Sequence, residues 1–165
     1  MEAGFEPHGG VGLLEDRRPF DARGHRQLEP RVAHGLVPLA MVEHALRPYL
    51  RKGDFAPGSW GQANVDALAG LVDVAVSKVA YSAFFNTQLD WVLRRAGIDT
   101  VAVCGIVTNG GVASTVRDAH MRDYRTLVLA DGCAAFGEER HQTSLADMRN
   151  VAEVIDCAAF IASLA

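Results

Sequence analysis

Apolar and polar positions follow a regular pattern from about residue 36 to the end of the chain. Five short segments are almost continuously apolar, and they lie at 36–43, 72–77, 100–106, 125–130 and 152–156. Apolar runs of this length are typical of strands that are buried on both faces of a sheet. These segments therefore predict five strands of a parallel sheet.

The segments that lie between and after these runs have a helical period instead. They span 87–97, 111–123 and 138–152, and the C-terminal sequence CAAFIASLA forms a fourth. The first segment ends at Gly97, a typical C-terminal stop, and its apolar face carries Leu89, Val92, Leu93 and Ala96. The second has an inner stripe of Val112, Thr115, Val116 and Ala119. Strands that alternate with helices predict an α/β fold with helices on both faces of the sheet.

The first 35 residues differ from the rest of the chain. They are rich in Gly, Pro, Arg and His, and they show little sustained period of either kind. Their nearest approach to a strand is GVGLLEDRRPF, residues 10–20, which has a short apolar run before Asp16. A length of 165 residues suits one core, so we expect a single domain over 1–165 in which 1–35 is atypical.

The composition narrows the classes of function. Twenty acidic residues against 16 basic ones give a net charge of -4, which argues against a nucleic-acid partner because phosphate binding needs a basic face. No apolar run reaches the roughly 18 residues of a membrane span, and the chain does not open with a signal-like segment. The three cysteines lack CxxC spacing, which argues against a disulfide scaffold or a zinc site. We therefore expect a soluble, cytoplasmic protein without a membrane partner.

The turn GIVTNGGVAST, residues 105–115, lies where a predicted strand meets a predicted helix. Open α/β sheets bind ligands at the carboxyl ends of their strands, and backbone amides at the start of a helix favour negative charge. The turn offers such amides but no nucleophilic side chain. Two interpretations are open: an anion-binding turn in which Asn109 caps the helix, or an Asn-Gly turn without a ligand.

Lys78 ends the predicted strand at 72–77, at the same edge of the sheet. There a lysine can hold a nearby carboxylate ionised or bind an anionic substrate. The alternative is a solvated lysine at a strand end.

A resemblance to a known family is carried by VSKVAYSAF (76–84) and by LRRAGIDTVAVCGIVTNGGVASTVRDAHMRDYRTLVLADGCAAF (93–136). These stretches resemble the isochorismatase-like cysteine hydrolases, which include nicotinamidases, N-carbamoyl amidohydrolases and isochorismatases. The likeness extends from about residue 36 to the C-terminus. It implies a Rossmann-like, three-layer α/β/α sandwich around a mostly parallel sheet of five or six strands. It also implies a site with an Asp after the first strand, a Lys before the YSAF segment and a Cys at the start of a helix.

The resemblance maps most of that site onto this chain. Lys78 matches the family's lysine, whereas Gly111 stands where the family has its nucleophilic cysteine. A non-proline cis peptide bond of the family maps to Ile106–Val107, and its oxyanion-hole donors map to the N–H groups of Val107 and Gly111. The rest of this turn consists of Thr108, Asn109 and Gly110.

The thiol and the acid of the family have no straightforward counterparts. Cys104, Cys133 and Cys157 are expected to be packing residues, with Cys104 a small buried core residue. The nearest candidate for the catalytic acid is Asp16. Two other interpretations of it stay open: a solvated Asp in an Arg-rich loop, or a truncated or misread N-terminus from which the acid is absent.

If Asp16 is the acid, one reaction of the family needs no thiol. Hydrolysis of an enol ether such as isochorismate requires proton delivery to the vinyl carbon and then attack by water. We therefore expect an isochorismatase-like hydrolase that acts on a small, anionic substrate. The alternative is a catalytically inactive family member with a binding or structural role.

Further expectations concern the pocket and its ligands. Candidate pocket residues are His44, Trp60, Tyr81 and Phe84, although core packing is at least as favoured for Trp60 and Phe84. Glu43 and His44 are adjacent and would point to opposite sides of a strand, so we expect no metal site. We also expect no cofactor, and a homo-oligomer.

Overall fold

The computed structural model describes residues 11–15, 31–36, 60, 63, 64, 66–68, 71–78 and 80–164. The strands are β1 (Val11–Glu15), β2 (Arg31–Leu36), β3 (Val72–Ser77), β4 (Thr100–Ile106), β5 (Arg125–Ala134) and β6 (Glu153–Ile155). The α-helices are α1 (Leu89–Ala96), α2 (Ala113–His120), α3 (Glu138–Met148) and α4 (Cys157–Ser163). A short 3₁₀ helix lies at Asp66–Leu68, and a π-helical turn at Thr108–Val112 leads into α2.

The strands form one sheet in the order β3-β2-β1-β4-β5-β6. β2 pairs with β3 in parallel, as β4 does with β5 and β5 with β6. β1 lies between β2 and β4 and is antiparallel to both. The predicted sheet is confirmed as mostly parallel, with one reversed strand at its centre.

The predicted strands agree with the structure to different degrees. The predictions at 72–77 and 100–106 match β3 and β4, while β5 extends beyond 125–130 and β6 is shorter than 152–156. Of the strand predicted at 36–43, Leu36 is the last residue of β2, and residues 37–43 lie outside the described part of the chain. The sequence pattern does not predict β2 because RVAHGL mixes Arg, His and Gly with its apolar residues.

Apolar residues of the central strands alternate between two cores. Val101 and Val103 of β4 belong to the larger hydrophobic cluster, which α1, α2 and α3 also line. Ala102, between them, belongs to a second cluster that includes Phe160 of α4. Because strand side chains point alternately to opposite faces, β4 is buried on both sides. This arrangement confirms the three-layer α/β/α sandwich.

The helices have the faces that the sequence predicts. Leu89 and Leu93 of α1 are buried, and all four residues of the predicted α2 stripe are buried as well. α1 ends at Gly97, which has the left-handed φ of 70° that favours glycine, and its N–H donates to the carbonyl of Arg94. In the described part of the chain, every helix is too short or too polar to span a membrane.

Candidate active site

The turn between β4 and α2 is the centre of the candidate site. The peptide bond between Ile106 and Val107 is cis, which confirms the implication of the resemblance. Gly105 before it has a φ of 122°, a conformation that L side chains rarely adopt. The π-helical turn over Thr108–Val112 follows, and the carbonyl of Val107 accepts the N–H of Gly110 at 3.0 Å. The chain therefore passes from strand to helix without an intervening loop.

Asn109 does not have the role that was expected of its side chain. It is exposed, and neither the π-helical turn nor α2 begins with a side-chain cap. The cap prediction is therefore wrong. Its physical reason is that the turn continues directly into α2, so the helix has no separate first residue for Asn109 to cap.

Thr108 fixes the turn to α3. Its side chain is fully buried, and its hydroxyl oxygen lies 2.9 Å from Nδ1 of His141. Its carbonyl accepts the hydroxyl of Ser144 at 3.3 Å. No local motif in the sequence links His141 or Ser144 to Thr108, because these residues lie 33 and 36 positions away from it.

Lys78 lies directly after β3 and is buried, with 4% of its surface exposed. Its Nζ donates to the carbonyls of Ala80 at 3.1 Å and Tyr81 at 3.0 Å. A buried ammonium group needs such partners, because an unpaired buried charge is costly. The interpretation of Lys78 as a solvated lysine is therefore wrong, and its catalytic role stays a prediction.

One hydroxyl joins the segment after Lys78 to the turn. Thr115 of α2 is fully buried, accepts the N–H of Ala83 at 3.0 Å and donates to the carbonyl of Gly111 at 2.7 Å. The sequence pattern places Thr115 in the buried stripe of the helix but gives no sign of this connection. The one sequence feature that could have pointed to this connection is Thr115 itself, a polar residue in an otherwise apolar stripe, four positions after Gly111.

Tyr81 contacts both parts of the site. Its carbonyl binds Lys78, and its ring lies beside Gly110, where a Cβ would stand 3.8 Å from a ring carbon. Tyr81 is 42% exposed, and its role as a pocket residue stays a prediction. The structure thus brings together Lys78, Tyr81 and the turn at Gly110 and Gly111.

The other candidate pocket residues have different outcomes. Phe84 is buried and packs against the ring of Tyr124 at a centroid distance of 5.7 Å, so it is a core residue rather than the wall of an open pocket. Trp60 is 58% exposed, so its core-packing alternative is wrong. His44 lies outside the described residues.

Asp16 also lies outside the described residues, but the strand before it has a direction that bears on the prediction. Val11 of β1 pairs with Gly105, and Glu15 pairs with Val101. The carboxyl end of β1 therefore lies where β4 begins, whereas the turn follows the end of β4. Asp16 as the catalytic acid stays a prediction, and this direction counts against it.

The three cysteines belong to β4 (Cys104), β5 (Cys133) and α4 (Cys157). A Cβ at Gly132 would stand 3.1 Å from Cβ of Cys104 and 3.4 Å from Sγ of Cys157, and Cys133 is the next residue. Burial raises the pKa of the Cys104 thiol, that of Cys133 to about 12 and that of Cys157 to about 11, and the hydrogen bond that the Cys157 thiol donates to the Asp131 carboxylate adds to the last. Cys104 is partly rather than fully buried, which corrects the prediction.

Among the described residues, no group of three or more His, Cys, Asp and Glu side chains has the arrangement of a metal site. The described part of the site therefore consists of a buried lysine, a tyrosine and a set of backbone amides. Such an arrangement can bind an anion and stabilise developing negative charge, but it lacks a nucleophile.

Comparison with known proteins shows the family of this chain. The profile of the isochorismatase domain matches residues 24–159. A protein named ureidoacrylate amidohydrolase RutB, from Methylorubrum extorquens, is 41% identical over 130 residues, which cover 76% of this chain and 52% of that protein. The chain spans about half the length of the curated relatives it matches, or less, with 39% of a Bacillus subtilis protein as one case.

Two solved structures are similar over most of the chain. An isochorismatase-like hydrolase from Alkaliphilus metalliredigens is 30% identical, with a TM-score of 0.71 and coverage of 81% of this chain and 71% of that one. A cysteine hydrolase from Pseudomonas syringae pv. phaseolicola is also 30% identical, with a TM-score of 0.70 and coverage of 80% and 70%. Since the profile covers most of the chain and the fold agrees, the chain belongs to the isochorismatase family.

Proposed function

We propose that the chain is an isochorismatase-family hydrolase that acts on a small, anionic substrate without a protein thiol. The observation that supports the proposal best is the junction of Lys78 and the turn, made through Thr115 and Tyr81. Lys78 supplies a buried positive charge for a substrate carboxylate. Amides at the start of a helix favour negative charge as well.

The proposed reaction is the hydrolysis of an enol ether, with isochorismate as the model substrate. A proton is delivered to the vinyl carbon, and water attacks the oxocarbenium ion that results. Collapse of the hemiketal breaks the carbon–oxygen bond and releases pyruvate and an alcohol. Gly111 suits this route because no step needs a nucleophile from the protein, and its N–H stays available to an anionic group.

Asp16 is the proposed acid, and Lys78 is proposed to tune it and to attract the substrate. The antiparallel direction of β1 is the observation against this assignment. Asp16→Asn separates the alternatives, because the amide keeps the size of the side chain but cannot deliver the proton. A loss of turnover of about 100-fold or more is expected if Asp16 is the acid. Unchanged turnover in that variant would assign the acid elsewhere.

The names of the relatives suggest a competing chemistry, the cleavage of an amide. In the amide-cleaving members that this chain resembles, the attacking group is the cysteine that Gly111 replaces. We therefore propose that the unsubstituted chain does not release ammonia from amides. A second candidate function, binding or assembly without turnover, is motivated by the same missing thiol.

The experiment measures pyruvate release from isochorismate and ammonia release from ureidoacrylate and simple amides. Pyruvate release is expected from the unsubstituted chain and is expected to fall about tenfold or more in Lys78→Ala, which removes the charge beside the substrate. Arg125→Ala is the matched control, since its exposed ion pair with Glu153 lies at the opposite edge of the sheet. Absence of turnover in folded protein favours the second candidate, and unchanged turnover in Lys78→Ala contradicts the role of that lysine.

A further inference from the structure

We propose that Thr115 is a positioning residue that sets the geometry between Lys78 and the turn at Gly111. The inference rests on the proposed function, because a positioning residue serves a site. Its basis is a single buried hydroxyl that connects two segments of the chain 32 residues apart.

The chemistry of the two partners fixes both hydrogen bonds of this hydroxyl. The N–H of Ala83 can only donate and the carbonyl of Gly111 can only accept, so the oxygen accepts the first at 3.0 Å and donates to the second at 2.7 Å. The hydroxyl proton therefore has one orientation. Because the side chain is fully buried, solvent does not compete for either bond.

The two bonds end in the two halves of the site. Ala83 belongs to the segment whose carbonyls hold Nζ of Lys78, and its own carbonyl accepts the hydroxyl of Thr87 at 2.6 Å. Both backbone groups of Ala83 are thus held by threonine side chains, one local (Thr87) and one from the distant helix α2 (Thr115). Gly111 is the residue where relatives of this chain are expected to carry their thiol. Loss of the hydroxyl frees one half of the site to move relative to the other.

The test uses the chemistry at residue 111 and needs no turnover. In the Gly111→Cys protein, the pH dependence of alkylation by iodoacetamide gives the pKa of the introduced thiol. Mass spectrometry of the peptides separates this thiol from the three native ones. Thr115→Val removes the hydroxyl at nearly constant volume, and it is expected to raise the midpoint by about one pH unit, which makes the reaction about tenfold slower at pH values below both midpoints.

Two further variants isolate the hydroxyl. Thr115→Ser keeps it and is expected to restore the midpoint. Thr126→Val is the matched control, because Thr126 is a second buried threonine whose hydroxyl donates to the carbonyl of Tyr124 at 3.1 Å, remote from the turn. It is expected to leave the midpoint unchanged.

Several results overturn the inference. They are an unchanged midpoint in Thr115→Val, no recovery in Thr115→Ser, and an introduced thiol that titrates at or above its ordinary pKa even with Thr115 in place. Thr115→Ala is the second variant, because it places no methyl group against the N–H of Ala83. If both Thr115→Val and Thr115→Ala fail to fold while the serine variant and the control fold, the hydroxyl serves folding and not positioning.

The outcome is independent of the substrate. If the unsubstituted chain shows no turnover but the alkylation midpoint shifts as expected, the proposed function fails, while the geometric link that Thr115 makes between the Lys78 segment and the turn stands. If turnover is found but the midpoint does not move, the positioning role fails alone.

Discussion

Two regions of this molecule hold complementary halves of a thiol site. The turn after β4 has amides at the start of a helix and is linked to the segment after the buried Lys78, but it contains no cysteine, and the resemblance implies that Gly111 stands at the position of the family's thiol. The region around Gly132 has three cysteines, but burial raises the pKa of each thiol. The comparison shows that a thiol's surroundings, rather than its presence, decide whether it can attack a substrate.

The magnitude of the difference follows from the protonation of the thiols. The thiolate is the nucleophile, and a thiol whose pKa is about 12, as for Cys133, is ionised to only about one part in 10⁵ at pH 7. A thiol at a helix start beside a positive charge has a pKa below that of a free thiol. The three cysteines therefore lie where burial keeps their thiols protonated. The turn after β4, whose surroundings favour a thiolate, contains no cysteine.

The strongest test of this comparison places a thiol in the turn. In Gly111→Cys, we expect iodoacetamide at pH 7.5 to alkylate the introduced cysteine at least about 100-fold faster than any native one. Gly111 does not have a left-handed φ, so its backbone conformation accepts a side chain. The rates are measured by quantitative mass spectrometry of the peptides.

A control separates the effect of the helix start from that of the site. Gly137 precedes α3, and a Cβ there would meet nothing within 4 Å. We expect the introduced thiol of Gly137→Cys to react at an intermediate rate, since it has a helix start without the buried lysine. The expected difference between the two regions is contradicted if a native cysteine reacts faster than the introduced one in Gly111→Cys.

The next test removes the lysine that distinguishes the turn region. Lys78→Met leaves the carbonyls of Ala80 and Tyr81 without their buried donor, and we expect a loss of about 1–3 kcal/mol in the free energy of unfolding. Arg125→Met, which breaks an exposed ion pair with Glu153, is expected to cost less than about 1 kcal/mol. Urea denaturation measures both. Equal losses would show that the buried contacts of Lys78 do not stabilise the site.

The sequence predicts much of this fold, for a physical reason visible in particular strands. β3 and β4 are found where apolar runs predict them. Burial on both faces explains the apolar run of β4, whereas β3 is an edge strand in which every second residue is exposed. The direction of β1 is beyond the pattern, since a short strand such as VGLLE can pair with β4 either way. β2 is also missed, because its polar residues hide its period.

The site is predictable only in part. Lys78 and the cis peptide bond come from the resemblance, and the structure shows the burial of the first and the presence of the second. The links from Thr115 to Ala83 and from Thr108 to His141 connect distant segments. A threonine in a buried stripe is ordinarily interpreted as packing, and only the packed structure shows which distant backbone group its hydroxyl meets.

A smaller effect is expected from crowding the thiol region itself. In Gly132→Ala the new Cβ would lie 3.1 Å from Cβ of Cys104, which is closer than most such contacts, so we expect a loss of about 1 kcal/mol. Gly137→Ala, in open space at the N-cap of α3 with an extended φ of -177°, is expected to cost less than about 0.5 kcal/mol, since the lower N-cap preference of alanine is offset by the lower entropy of its unfolded chain. Thermal unfolding of the two variants provides the measurement. If Gly132→Ala is as stable as Gly137→Ala, the packing around the three thiols is looser than the structure indicates.

The smallest effect concerns alkaline pH. The pKa of Cys133 is raised by burial to about 12 from an ordinary value of 9.0, so the folded chain keeps this proton at pH values where the unfolded chain loses it. The contribution to stability is therefore fully present below pH 9 and is lost as the pH rises towards 12. Between pH 7.5 and pH 9.5 the loss for one such thiol is under about 1 kcal/mol. Cys133→Ala should show a shallower decline of the free energy of unfolding over this interval, measured by urea denaturation.

The decline itself is compared rather than the absolute stability, because the substitution also removes packing. Tyr124, whose pKa burial also raises, contributes a decline of the same sign at higher pH and is unchanged in the variant. An identical decline in both proteins would mean that Cys133 exchanges its proton as freely as an exposed thiol, which would remove the contrast between the two regions.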